Sequence, residues 1–302
     1  MSIEANKFSK DIEIEGNKYG LKLNKNRCEL LSTSINANIH FQDGVKVNKK
    51  PEVEYLGFQL NQYSNITQEL SKRIAICMTV LKRLDIFWRH CVVTTAFKIT
   101  VHDAVIRAKL LYGLESAQLT PSNQRRIETF QLKGLRKILR LTTTYVERAN
   151  TNSEVFRKAN EQLRTETREG KKAKTVKPFI TCYKNARINN LVRLWKTNDD
   201  NPVKHITFQP NNENRIIPWE PPNRRVGRPR FKWVTETTGD IWKNIRHLHT
   251  HLPLEFDNKN VEQHDAIKET IMLEAHDPPH FCVSTRRKTT NSKIYKIRSI
   301  TG

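Results

Sequence analysis

"PSNQRRIETFQLKGLRKILRL", Pro121 to Leu141, is the stretch on which the reading of this chain turns. Pro121 suits a first-turn position, where its missing N–H would be unpaired in any case. Ile127, Phe130, Leu135, Ile138 and Leu139 recur at helical spacing and predict one apolar face. Arg126, Lys133, Lys137 and Arg140 are separated by 7, 4 and 3, so they share another face, with Arg125 and Arg136 beside it. Glu128 is the only acid in the stretch, so pairing within the helix leaves this face positive. A charged helix face is commonly just solvated. Following a phosphate backbone requires the same pattern: cations at i, i+3, i+4 and i+7 on a rigid element, with apolar residues behind.

Two more helices are expected upstream. From Asn65, a candidate cap with Gln68 completing the box, Ile66, Leu70, Ile74, Cys77, Leu81 and Leu84 form one stripe. A second helix is expected from Thr95 to Tyr112, with Phe97, Val101, Ala104, Val105, Ala108 and Leu111 inward and Gly113 as its stop. Before them, residues 1–23 predict a helix ending near Gly20, with Phe8 and Ile12 on its apolar side. β-like pieces follow. "NIHFQDGVKVN" predicts a hairpin with a two-residue type I′ turn at Asp43-Gly44. "VEYLGFQL" predicts a strand in which Gly57 marks a bulge or a close backbone approach. The fold class expected is mainly α with a small antiparallel β unit.

Downstream, residues 142–178 are polar and charged and predict a basic linker. "FITCYKNARINNLVRLWKTN" predicts a helix through Ile180, Tyr183, Ile188, Leu191 and Leu194. "WVTETTGDIWKNIRHL" predicts another, anchored by Trp233, Ile241, Trp242 and Ile245. The organisation expected is 1–62, 63–141, 142–178, 179–250 and a low-order basic tail, 251–302.

The chain has 53 Lys plus Arg against 31 Asp plus Glu, a net +22 over 302 residues. That balance favours polyanion partners and says nothing of fold. Residues 122–174 alone hold 14 Lys plus Arg against 6 acids. No apolar run is long enough to span a membrane, and the N-terminus has no secretory core, which predicts an intracellular protein, nuclear or cytoplasmic. The 5 cysteines are irregularly spaced, with no CxxC pair, so neither a disulfide framework nor a zinc ribbon is expected. His247, His249, His251, His264, His276, His280 and Cys282 lack finger spacing and read as polar residues of a basic tail. Trp195, Trp219, Trp233 and Trp242 read as packing residues rather than base-stacking platforms. Asp199-Asp200, beside Pro202, reads as a polar loop.

"YGLKLNKNRCELL", "VEYLGFQL", "KLLYGLE" and "RIETFQLKGLRKIL", in this order and spacing, resemble the reverse transcriptase of LINE-type retrotransposons. The likeness covers Lys7 to Leu141. "GLKLNKNRCELL" resembles the segment after the catalytic aspartate turn. "YLGFQL" resembles the primer grip, which implies primer positioning by Tyr55, Leu56, Gly57 and Phe58. "LLYGLE" and "FQLKGLRKIL" resemble thumb helices. "RRVGRPRFKWV", Arg224 to Val234, resembles a stretch common near the C-terminus of such polyproteins, with Val226 displacing its first arginine. The "GRPR" within it also resembles the arginine–glycine hook of minor-groove binders and adds Arg228 and Arg230 as candidates.

The resemblance implies a partial palm, 1–62, followed by a thumb-like bundle, 63–141. It implies contact between Arg126, Lys133, Arg136, Lys137 and Arg140 and a template–primer backbone of RNA or DNA. The family's Tyr-x-Asp-Asp turn, which holds two Mg²⁺ ions, would fall before Lys7, and this chain shows no such turn. The chain alone is therefore expected to bind no metal or other cofactor, to hold no catalytic residue and to be inactive as a polymerase; Mg²⁺ belongs to the complete enzyme. A stand-alone basic RNA- or DNA-binding protein and a maturase-like intron protein are the alternatives.

Overall fold

The computed structural model describes residues 2–32, 37–62, 66–165, 174–208 and 233–273. They are mainly helical, with small β elements near the N-terminus. They fall into two compact units, one holding the described residues up to Lys184 together with Trp233, the other the remainder from Asn185.

The first helix, α1 (Ser2–Lys18), ends as expected at Gly20, φ +72°. Leu21 N–H reaches Gly16 O and Gly20 N–H reaches Asn17 O, the paired bonds of a Schellman stop. Its docking face is polar rather than apolar. Asn6 accepts from His40 N–H at 2.7 Å, and Glu13 accepts from Gln42 N–H at 2.6 Å. The expected inward residues Phe8 and Ile12 face solvent.

The β elements differ from expectation in their turns. Around Asp43-Gly44 only Gly44 has positive φ. Gly44 N–H bonds Phe41 O and Phe41 N–H bonds Val45 O, which makes a three-residue loop. The two-residue turn lies at Leu56-Gly57 instead, where both φ values are positive, 50° and 75°. "VEYLGFQL" is therefore not one strand. It is a hairpin of β3 (Glu52–Tyr55) and β4 (Phe58–Asn61), antiparallel, with Tyr55 opposite Phe58. Two short strands before it, β1 (Glu29–Leu30) and β2 (Asn48–Lys49), form a parallel pair that the alternation does not announce.

After α1, the helices of the first unit are α2 (Ile66–Arg83), α3 (Asp85–His90), α4 (Thr95–His102), α5 (Ala108–Leu111), α6 (Pro121–Leu139) and α7 (Asn152–Thr165); α8 (Phe179–Trp195) begins there. The proposed cap Asn65 lies outside the described residues. α6 is the organising element. Thr120 Oγ1 accepts from Asn123 N–H at the start, and Pro121 follows. Ile127 and Phe130 enter one apolar cluster with Leu70, Ile106 and Leu110. Leu132, Leu135 and Ile138 enter a second with Trp88, Ile99 and Val155. Helix α6 is thus buried over more of its circumference than one stripe, and Leu132 joins the core unannounced. Its Gln131 is buried and clamps the chain before α8, donating to Lys177 O and accepting from Phe179 N–H at 2.7 Å.

The helix expected over Thr95–Tyr112 is interrupted by a π segment, Asp103–Arg107, between α4 and α5. Its inward face is also different. Ala96, Ile99, Ile106 and Leu110 are buried, whereas Phe97 and Val105 are exposed. Both sets fit helical spacing, so periodicity does not select between them. Gly113, φ +68°, ends α5 as expected. Residues 142–178, expected as a linker, contain α7, which packs Val155, Ala159 and Leu163 inward. Three apolar positions among many charges suffice because α6 supplies the other wall.

In the second unit, α9 (Pro202–Thr207) starts at Asn201, whose side chain accepts from Val203 N–H. In α10 (Trp233–Ile245), Ile241, Trp242 and Ile245 are buried as expected. Residues 251–302, expected as low order, include α11 (Val261–Leu273). Gln263 of α11, fully buried, binds Pro253 O, Glu255 O and Asp257 N–H and so fixes the preceding loop. Trp195 packs edge-on against Phe208, and Trp242 donates to Pro253 O, so both are packing residues; Trp219 lies outside the described residues.

Candidate nucleic-acid interface

The end of α6 meets the end of α3. Helix C-termini present unpaired carbonyls, which attract cations. Lys98, buried in α4, donates to Trp88 O at 2.9 Å, and Arg140 donates to Arg89 O at 2.8 Å. Asp85 lies between Lys137, 2.5 Å, and Arg89, 3.2 Å. The Lys137 hydrogen bond holds the Asp85 carboxyl below the usual range. Arg136 reaches forward to Asn150 O at 3.2 Å and Asn152 Oδ1 at 2.9 Å.

These contacts line an open cleft of about 600 Å³ with Arg89, His90, Arg136, Lys137, Arg140 and Leu141. Among the described residues, the lining brings three guanidinium groups and the Lys137 ammonium together, and Asp85 pairs with Lys137 and Arg89, so this set of residues carries a positive excess. Arg140 also stands in the left-handed region at φ +56°, as the residue that stops α6. An L-residue other than glycine spends about 1–2 kcal/mol there. Such a strained backbone at a cationic cleft is the kind of outlier that points to a site.

Arg136, Lys137 and Arg140, expected from α6, are brought together here. Arg126 and Lys133 continue the same stripe over about 21 Å of helix. Lys133 is exposed, whereas Arg126 donates to Ser71 Oγ on α2 at 2.8 Å. The acid that pairs with Lys137 is not on its own helix: Asp85 comes from α3. Arg89 and His90 were not legible as site residues, since only the packing of α3 on α6 carries them to the cleft. Arg228 and Arg230 lie outside the described residues.

Tyr55, Leu56, Gly57 and Phe58 form the β3–β4 turn and do not line the cleft. Tyr55 and Leu56 are exposed at the tip. Phe58 is held from beneath: the Arg73 guanidinium lies 5.0 Å from its ring centroid, and Gly113 approaches its edge. Arg73 pairs with Glu69, both buried, and donates to Tyr112 O. Glu69 also accepts from Gln59 N–H at 3.1 Å. A buried ion pair thereby joins the hairpin to the end of α5, which brings "YLGF" and "LLYGL" into one network.

Asp199 is bound by Lys204 at 2.6 Å, which holds its carboxyl below the usual range, as fits a polar loop. Among the described residues, no group of three or more His, Cys, Asp and Glu side chains is placed to hold a metal ion. No described helix is long and apolar enough to cross a membrane.

No family model matches this chain, and neither a curated protein nor a solved structure does.

Proposed function

We propose that the chain binds the phosphate backbone of RNA or DNA in the α3–α6 cleft, as the end-of-palm and thumb portion of a polymerase related to LINE-type reverse transcriptases. The supporting observation is the convergence of Arg89, Arg136, Lys137 and Arg140 on one open cleft with Asp85 as the carboxylate among them. Guanidinium groups and an ammonium form charge-assisted hydrogen bonds to phosphate oxygens, and such contacts position a strand without reading its sequence. The β3–β4 turn, tied to α5 through Glu69 and Arg73, is the proposed primer-grip-like element. The role is binding, not phosphoryl transfer. Two-metal transfer needs clustered carboxylates, and the motifs that carry the resemblance include none.

Anisotropy titrations of labelled strands over a range of salt test this. Four neutralised phosphates give a log–log slope of about −3.6 on duplex DNA and about −2.8 on a single strand. A slope near zero contradicts the proposal.

A further inference from the structure

The loop after α6, residues 142–151, starts and returns at the cleft. Leu141 lines the cleft, and Asn150 O and Asn152 Oδ1 receive the Arg136 guanidinium. The loop is tied internally. Asn150, buried, donates to Thr142 O and Oγ1 at 3.3 and 3.1 Å, and Val146 N–H and Glu147 N–H both reach Thr143 O at 3.0 Å. This held loop presents Tyr145, 97% exposed, and Val146, 71% exposed. Tyr145 makes no ring contact and no hydrogen bond through its side chain among the described residues, so its ring does no packing there. Tyr145 lies four positions after Leu141, a reach of at most about 14 Å. That is about four nucleotides of a stacked strand.

We infer that Tyr145 is a stacking platform for an unpaired base, and that the cleft takes single-stranded RNA or DNA, or an unpaired end, in preference to a blunt duplex. The inference rests on the phosphate-binding role proposed for the cleft. Aromatic stacking tolerates any base, because every base has a π-face, and it is closed to bases already paired and stacked within a duplex.

The test titrates the full chain with labelled oligouridylate, oligothymidylate, a blunt DNA duplex and an abasic strand of equal charge. Tyr145→Ala weakens binding to a base-bearing single strand by roughly tenfold or more, whereas Tyr145→Trp retains native affinity. Affinity for the abasic strand and the blunt duplex stays within about twofold of native, because stacking is the interaction removed. A loss on the RNA strand, the DNA strand or both supports the platform and assigns the sugar it serves. Native affinity of Tyr145→Ala for both base-bearing strands overturns the inference, as does an equal loss on the abasic strand. If Lys137→Gln weakens binding while Tyr145→Ala does not, the platform fails and the cleft stands. If the native chain binds none of the strands, both fail.

Discussion

His102 carries a cost that is visible in its surroundings. It is 1% exposed, stacked on Phe179 at 5.9 Å, and its Nε2 faces Gly134, where a β-carbon would collide with the ring. That nitrogen finds no hydrogen-bond partner among the described residues. Burial lowers the imidazole pKa from 6.5 to about 4. The unfolded chain therefore takes a proton that the folded chain refuses, and stability is lost as pH falls from about 6.5 to about 4. The full loss is about 3 kcal/mol. Urea unfolding across this window should show it for the native chain and a flatter profile for His102→Gln; an unchanged slope in the variant contradicts the assignment. Glu69 and Arg73 make a second residue-level case. Arg73→Met leaves a buried carboxylate unpaired and should cost about 3–5 kcal/mol, while Glu69→Leu with Arg73→Met costs less than the sum of the single changes. Additive costs in the same unfolding assay contradict the network.

Local backbone rules are sharpest in the hairpins. Leu56 occupies a left-handed position that Asn holds more cheaply, and its side chain is exposed. Leu56→Asn should stabilise the chain by about 0.5–1 kcal/mol in thermal or urea unfolding, and destabilisation contradicts the turn assignment. The same turn shows why the sequence was legible only in part. Asp43-Gly44 and Leu56-Gly57 both sit between β-favouring residues, and the pair with the better turn composition is not the two-residue turn. Gly20 and Gly113 mark helix ends correctly because their positive φ is a local demand. The α4–α5 face was misassigned because two residue sets fit 3.6 spacing and the π segment shifts the register. Helix α7 stayed hidden because its apolar stripe is narrow and α6 completes it. In the cleft, Arg136, Lys137 and Arg140 were legible from α6 alone. Arg89 and His90 were not, since the packing of α3 on α6 brings them there.

Across the whole chain, the net charge of +22 is put to different uses. Part of it is internal: Lys98 and Arg73 are buried on carbonyls, and Arg126 is bonded to α2. Part surrounds Asp85 at the α3–α6 cleft in excess of what one carboxylate neutralises. The central claim is that this excess holds phosphates, and Arg140 allows binding to be separated from folding. Arg140→Gly relieves a left-handed backbone worth about 1–2 kcal/mol and gives up a hydrogen bond to Arg89 O of similar size, so stability should stay within about 1 kcal/mol of native. Lys137→Gln leaves Asp85 paired with Arg89. The deciding measurement is the salt dependence of single-strand binding by the Lys137→Gln, Arg140→Gly double variant beside the native chain. With two phosphate contacts removed, the log–log slope should become shallower by about 1.4 while the melting transition is retained. A folded double variant that binds with the native slope contradicts the account.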